Sequence, residues 1–381
     1  MYLNHLSLTN FKNIAEVSLT FTPKINCFLG NNGMGKSNLL DAIHFLSFCR
    51  SFSGMTDSQL IRQGEDFAIA KASYVRRGTP EELTLGLARG KRKSLKRAGK
   101  EYTRLADHIG TFPLVMVAPR DVELIYGPGE ERRRWADMVI SQSDRRYLDA
   151  LMRYNSGLEQ RNRLLRAGIV DHTLYDAIEC AMEASARYIH SVRAAWVAEL
   201  SEIFNRYYAA IAGENCERVS MRYVGALDPE SASGGSLTAL LDSARRHDEI
   251  VKYTSVGPHR DDIELLINDM PMRKAASQGQ CKTVTVALRL AQYDFLHRST
   301  GLKPLLLLDD IFDKLDALRV ERIMAIVTNS GNFGQIFVTD TNRSHLDSII
   351  SRTGQDYALW VVEHGCFTPL NENRTTTYET H

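Results

Sequence analysis

The chain has 381 residues, with 47 Lys and Arg against 46 Asp and Glu, a formal net charge of +1, and 44% hydrophobic residues. The length suits two or three domains, or one large domain with an insertion, and such a balance argues against a nucleic-acid binder unless the charge is unevenly placed. No apolar run approaches the ~18–20 residues of a membrane span. The start Met1-Tyr2-Leu3-Asn4-His5 lacks a signal-peptide pattern, so a cytoplasmic protein with no membrane partner is expected. The cysteines (Cys27, Cys49, Cys180, Cys216, Cys281, Cys366) are scattered without C-x-x-C pairs, which argues against a zinc site or disulfide framework.

Taken in chain order, apolar alternation over the first thirty residues predicts a small hairpin and then a buried strand, Ile25–Leu29, running into glycines. Residues 67–104 read as strands with turns at Arg77–Pro80, Arg89-Gly90 and Ala98-Gly99, and Leu114–Val117 as another strand. The stretch Glu131–Arg166 reads as helix and Gly168 as a break. Ile178, Met182, Ser185, Ile189, Val192, Trp196, Leu200, Ile203 and Tyr207 then form a seam spaced by three and four, the mark of a second long helix. About 40 residues at 1.5 Å each make a rod of roughly 60 Å, so the pair forms a helical arm. After the loop Ser231–Ser236, helix and strand patterns return, with strands at Ile336–Thr339 and Leu359–Val362. The expected plan is an α/β head, residues 1–125 and 216–370, split by a helical arm at 126–215 and followed by a disordered tail, 371–381.

The strongest motif is Gly30-Asn31-Asn32-Gly33-Met34-Gly35-Lys36-Ser37, a match to G-x-x-x-x-G-K-[ST] between a strand and a helix. Glycines turn backbone N–H groups inward around phosphates, Lys36 reaches the β/γ-phosphates and Ser37 ligates Mg²⁺. Leu305–Leu308 running into Asp309-Asp310 fits a Walker B strand: Asp309 holds the metal and Asp310 lies where a water-positioning group is needed. ATP and Mg²⁺ are the expected ligands, and Lys36, Asp309 and Asp310 the catalytic set. Ser277-Gln278-Gly279-Gln280, about 30 residues before Asp309, resembles the signature turn of ABC-type ATPases. That likeness implies that Ser277, Gly279 and Gln280 meet the nucleotide of a second subunit, and that Asp313-Lys314-Leu315-Asp316 is a D-loop at the dimer interface.

Charge supplies the last feature. Residues 71–104 hold 11 Lys and Arg against 3 acids, and residues 131–168 hold 9 Arg against 5 acids. These nets of +8 and +4 leave −11 elsewhere. Arg89, Lys91, Arg92, Lys93, Lys96, Arg97 and Lys100 are the expected contacts to DNA phosphates, binding duplexes and junctions without reading bases.

The whole pattern resembles the RecF family of bacterial recombination mediator ATPases, within the ABC and SMC-like class. The resemblance runs from the first strand to about residue 365. It rests on Leu8–Asn13, the P-loop continuing through Asn38-Leu39-Leu40-Asp41-Ala42-Ile43, Gly127–Asp137, Gly257-Pro258-His259-Arg260-Asp261-Asp262 and Ala276–Gln280. Met34 and Ser37 stand where the family more usually has Gln and Thr, Asp41 and Lys314 where it has Glu, and Thr339-Asp340 ends its strand without a switch histidine. The resemblance implies an ABC-type head with an inserted arm and a weak DNA-stimulated ATPase that dimerises on ATP. It also implies a DNA-damage and SOS-response setting, with RecR and RecO as partners and RecA loading at gaps. It further places Lys12 over the phosphates and Asp121 near the Q-loop, while His259-Arg260 reads either as a nucleotide or DNA contact or as a salt-bridged turn. The rival readings are a transport ATPase subunit, for which the arm is too long, and an SMC-like tether, for which it is too short.

Overall fold

The computed structural model describes residues 1–213, 216–228, 234–312, 315–329, 331–347 and 357–370. Asp313-Lys314 of the expected D-loop, Ser231–Ser233 of the expected loop and the tail 371–381 lie outside the described residues. The chain forms two compact units, 1–120 with 296–381, and 121–295. This division differs from the expected boundaries at 125 and 216. The strands after residue 216 pack with the long helix that precedes them, so residues 216–295 cluster with the helices.

The first unit opens with β1 (Tyr2–Phe11) and β2 (Ile14–Thr20), an antiparallel hairpin. Leu3 and Leu6, an odd spacing for one strand face, are both fully buried because the register of β1 shifts between Leu3 and His5. Next come β3 (Ile25–Leu29), α1 (Lys36–Phe48) and the short α2 (Asp57–Leu60). The hairpin sheet grows by β4 (Phe67–Arg76), β5 (Thr79–Ala88), β6 (Ser94–Arg97) and β7 (Lys100–Glu101), in the order β2-β1-β4-β5-β6-β7. After these lies β8 (Leu114–Val117).

The second unit begins with α3 (Glu123–Tyr126), α4 (Gly129–Ser143), α5 (Arg145–Ala167) and α6 (His172–Ala212). The expected helix over 131–166 is therefore two helices. Asp144 interrupts it and caps α5 by accepting from the Tyr147 amide. Gly168, with φ 69°, ends α5 as the sequence predicts, and α6 is 41 residues long. β9 (Val219–Val224), α7 (Leu237–Val251), β10 (Asp262–Ile267), β11 (Met270–Pro271), α8 (Met272–Ala275) and α9 (Gln278–Thr300) follow, the strands pairing antiparallel as β11-β10-β9.

The chain then returns to the first unit with β12 (Leu305–Asp309), α10 (Ala317–Asn329), β13 (Ile336–Asp340), β14 (Tyr357–Glu363) and β15 (Cys366–Pro369). Its second sheet runs β15-β14-β3-β13-β12-β8, parallel except for the β14–β15 pair. β8, β12 and β13 are buried along their whole length, which is why they read as continuous apolar runs. α1 packs on strands of both sheets. Gln335 clamps the sheets at one edge. Its Oε1 accepts from the Leu3 amide at 2.6 Å, and its Nε2 donates to the carbonyls of Leu3 and Thr22 at 2.8 and 2.7 Å.

The core of the second unit is partly ionic. Arg161, fully buried, meets Glu179 at 2.8 Å and Asp248 at 2.7 Å. Arg245 shares Glu179 at 2.9 Å, and Tyr175 lies within 5.6 Å of both guanidinium groups. Arg193 in turn grips Asp137 at 2.8 Å and the Pro258 carbonyl at 2.7 Å. These pairs tie α4, α5, α6 and α7 to the Gly257–Asp262 segment. Each is costly to break because the orphaned charge stays buried.

Burial also makes the fold acid-sensitive. His108 sits with Nε2 2.7 Å from the Leu46 carbonyl, and desolvation pulls it down to about 4. An unfolded histidine takes up a proton near pH 6.5. Its contribution is therefore nil above that pH and becomes increasingly destabilising as pH falls from about 6.5 to 4. His108→Asn is expected to shrink the loss of unfolding free energy between pH 7 and pH 5 by roughly 2 kcal/mol, checked by urea denaturation at the two pH values.

Candidate nucleotide site and its surroundings

The loop between β3 and α1 is built for phosphates. Gly35 takes φ 115° at the helix N-cap, and a Cβ there would press on the Asn13 side chain at 3.0 Å. Asn13 is useful to the loop: its Nδ2 donates to the Met34 carbonyl at 3.3 Å, and its Oδ1 accepts from Asn38 Nδ2 at 2.8 Å. From the other side, the β14–β15 turn donates the Gly365 amide to the same Met34 carbonyl at 2.7 Å. Met34 is thus held by its backbone, and its unusual side chain leaves the loop's donors intact. The Gly30 amide donates to the Asp340 carbonyl at 3.3 Å, while Asn31, Asn32 and Gly33 form the open turn.

Lys36 is buried, and its ammonium lies inside the loop, donating to the carbonyls of Gly30 at 2.6 Å and Asn31 at 3.2 Å. The Asp310 carboxylate is 3.8 Å away. Asp310 itself has φ 45°, with its amide donating to Thr339 Oγ1 at 3.0 Å. Asp309 ends β12 as the central acceptor, taking Ser37 Oγ at 2.9 Å and Thr339 Oγ1 at 2.8 Å on the same oxygen. Burial raises its carboxyl above the usual range, while the Thr339 and Ser37 hydroxyls and the Lys36 ammonium pull it back. A hydroxyl and a carboxylate side by side are the hard-oxygen pair that Mg²⁺ accepts alongside phosphate and water oxygens. Ser37 and Asp309 therefore fit the metal expected there. When bound, it would neutralise charge developing on the phosphates.

Lys12 does not reach out over the loop. At φ 51°, it pairs with Asp41 at 2.5 Å and donates to Ser53 Oγ at 3.2 Å. Asp41 is buried and also accepts from the Ser51 hydroxyl at 2.6 Å and the Phe52 amide at 2.5 Å, so a single carboxylate fixes the Lys12 turn and the 51–53 segment. His345, unmarked by any motif, places Nδ1 2.9 Å from Asp340 Oδ2. A histidine therefore meets the β13 end from five residues downstream, although the strand terminus lacks one.

In the second unit, Ser277 and Gln280 form a reciprocal helix cap at the start of α9. The Gln280 amide donates to Ser277 Oγ at 3.2 Å, and the Ser277 amide donates to Gln280 Oε1 at 2.6 Å. Gly279 accepts from Thr283 Oγ1 at its carbonyl, 3.2 Å. Asp121 is not an open Q-loop group: both its oxygens bind Arg289, at 2.6 and 3.1 Å. The His259 ring is bracketed by Tyr154 Oη at 2.7 Å and the Thr254 carbonyl at 3.0 Å, which favours the structural turn for that residue. Arg260 stays exposed, 4.9 Å from the Tyr253 ring.

The basic segment divides by geometry. Lys93 is committed to the Cys49 carbonyl at 2.7 Å and Asp57 at 3.0 Å, and Arg97 joins Arg76 on Glu81 at 2.7 and 2.8 Å. Arg89 is exposed, with its Nε on the Glu65 carbonyl at 2.8 Å. Lys91, Arg92, Lys96 and Lys100 are exposed on the β5–β6 turn and the β6–β7 hairpin. Thr339 and Asn13 lie in segments the motifs mark, but neither had an expected role, since each acts through a partner distant in the chain.

A P-loop on a parallel sheet, with its Walker B aspartate bonded to the loop serine, defines the head of a P-loop ATPase. The family model described as RecF/RecN/SMC N terminal domain matches residues 2–356. The chain is 47% identical over 374 residues to the DNA replication and repair protein RecF of Bacteroides fragilis (strain YCH46), covering 98% of this chain and 99% of that one. A solved structure described as the recombination mediator protein RecF-ATP in the RecFOR pathway aligns with a TM-score of 0.87 at 28% identity, over 97% of this chain and 98% of that one. A Smc head domain from Pyrococcus furiosus shares the fold alone, with a TM-score of 0.57 at 18% identity, over 97% and 96% of the two chains. The chain belongs to the RecF family. No helix among the described residues is long and apolar enough to cross a membrane.

Thr339→Val removes the donor to Asp309 and the acceptor for the Asp310 amide without changing shape. It is expected to lower ATP turnover about tenfold, two ordinary hydrogen bonds' worth, while nucleotide affinity moves less than threefold. Steady-state turnover and fluorescent-nucleotide titration check this.

Proposed function

We propose that this protein is an ATP-dependent DNA-binding ATPase of recombinational repair and replication restart, acting in the cytoplasm. The observation that carries the reading is the Asp309–Ser37 contact beneath the P-loop at 2.9 Å, in a chain of the RecF family. The loop amides and Lys36 bind the triphosphate, Ser37 and Asp309 hold Mg²⁺, and Asp310 orients the attacking water at a slow rate. Two copies pair so that the Ser277 turn of one meets the nucleotide on Lys36 of the other. Closure clamps DNA and hydrolysis reopens the clamp. Family membership supports RecO and RecR as partners and RecA loading at single-strand gaps.

The pairing is tested by sedimentation with ATP. The parent is expected to dimerise, whereas Lys36→Met and Ser277→Arg remain monomeric. Dimerisation of either variant at the parent's concentration overturns this pairing.

The DNA surface is tested by a salt series with ATP. Neutralising Lys91, Arg92, Lys96 and Lys100 together is expected to flatten the slope of log affinity against log salt by about 0.9 for each phosphate that is no longer neutralised. Substituting Lys93 or Arg97 is expected to lower the melting temperature, with little further change in slope. An unchanged slope in the fourfold variant places DNA elsewhere.

A further inference from the structure

The cap of α9 is held from outside the helix. Gln280 uses its Oε1 on the Ser277 amide, which leaves Nε2 pointing away, and that nitrogen donates to Glu217 Oε1 at 2.6 Å. The other oxygen of Glu217 accepts from Tyr208 Oη at 3.3 Å. Tyr208 is buried near the C-terminal end of α6. Two more side chains on the same face of α6 hold the strand that follows: Asn205 Oδ1 accepts from the Val219 amide at 3.1 Å, and Ser201 Oγ from the Met221 amide at 2.9 Å. Positions 201, 205 and 208 are spaced by four and three, one stripe of a helix. That stripe fixes residues 217–221, and Glu217 passes the constraint on to Gln280.

A carboxamide is planar, with an acceptor at one end and donors at the other. Fixing Nε2 on Glu217 therefore fixes Oε1 on the Ser277 amide. Reversing the partner's polarity turns the amide over and opens the cap.

We propose that Glu217 is a positioning residue for the Ser277 turn, setting the strength of ATP-dependent pairing and tying that turn to the long helix α6. The proposal rests on the pairing described above and extends it: a shift of α6, the longest helix among the described residues, moves the groups that would face a partner's nucleotide.

The test uses the full chain, sedimentation with ATP to measure dimer dissociation constants, and a fluorescent ATP analogue to measure nucleotide affinity in the monomer. Glu217→Lys is expected to weaken pairing about tenfold or more, the loss of one charge-assisted hydrogen bond, and Glu217→Gln, which keeps an acceptor, by about threefold or less. Gln280→Glu sets two carboxylates against each other and is expected to weaken pairing. The double variant Glu217→Gln/Gln280→Glu restores a donor–acceptor pair in the opposite sense and is expected to pair more tightly than Gln280→Glu alone, though less tightly than the parent because a carboxylate then stands beside the partner's phosphates. Monomer nucleotide affinity is expected to stay within about twofold throughout, which separates positioning from misfolding. If Glu217→Lys pairs like the parent while Ser277→Arg does not, the role of Glu217 is refuted and the pairing stands. If Ser277→Arg also pairs like the parent, both fall. If the double variant is no better than Gln280→Glu alone, the polarity argument is wrong.

Discussion

One oxygen of Asp309 organises the nucleotide site. It takes the hydroxyls of Ser37 from α1 and Thr339 from β13 at once, so the ends of three elements meet at a single acceptor. The meeting follows from register. β12 pairs in parallel with β13 so that Asp309 lies opposite Thr339, and β13 pairs with β3 so that Asp340 lies opposite Leu29, one residue before the loop. A one-residue slip in either ladder would turn the aspartate to the other face of the sheet. The apolar runs of β12 and β13 thus do more than fill a core: they deliver a carboxylate to a place where burial raises its pKa. The hydroxyls and the Lys36 ammonium keep the charge sustainable.

The elements around that acceptor were legible in the sequence because their signals are local. The Gly30–Ser37 turn needs glycines at fixed offsets, the β12 strand shows as four leucines before two acids, and the helix break at Gly168 shows as a glycine after a periodic stretch. The parts that were not legible depend on partners far along the chain. Thr339 sits 30 residues from Asp309, Gln335 is 332 residues from Leu3, and Arg161 is 87 from Asp248. Nothing at those positions distinguishes a buried clamp from an exposed polar residue. The net of +8 over residues 71–104 illustrates the same limit. Counting charge cannot separate Lys91, in water, from Lys93, which packs its ammonium 5.4 Å from the Phe45 ring centroid and donates to a backbone carbonyl.

The helical unit shows why the seam read from spacing was only half the story. Met182, Ile189, Trp196, Leu200 and Ile203 are buried as expected, but Glu179 and Arg193 share the interior. Charged pairs of this kind rarely stabilise more than apolar residues of equal size. Their use lies in specificity: an arginine with one carboxylate and one carbonyl to reach accepts few helix registers. Arg193, by binding Asp137 and the Pro258 carbonyl, fixes α4 and α6 against the Gly257–Asp262 segment in a single arrangement.

The Ser277 turn raises a question of compatibility, since the same four residues serve as a helix cap and as the proposed contact to a partner's nucleotide. Hydroxyl chemistry resolves it. In the cap, Ser277 Oγ is an acceptor, receiving the Gln280 amide, and acceptance leaves the hydroxyl proton to donate. A phosphate oxygen brought by a second copy needs a donor of that kind. The N-terminal end of α9 adds its partial positive charge in the same direction. In the proposed pairing the cap thus leaves that proton for the partner's phosphate, and Glu217, through Gln280, supports the cap. This also accounts for the ambiguity of the tetrapeptide in sequence. A serine followed three residues later by glutamine is an ordinary way to begin a helix, and nothing in the four letters says whether the remaining proton has a partner.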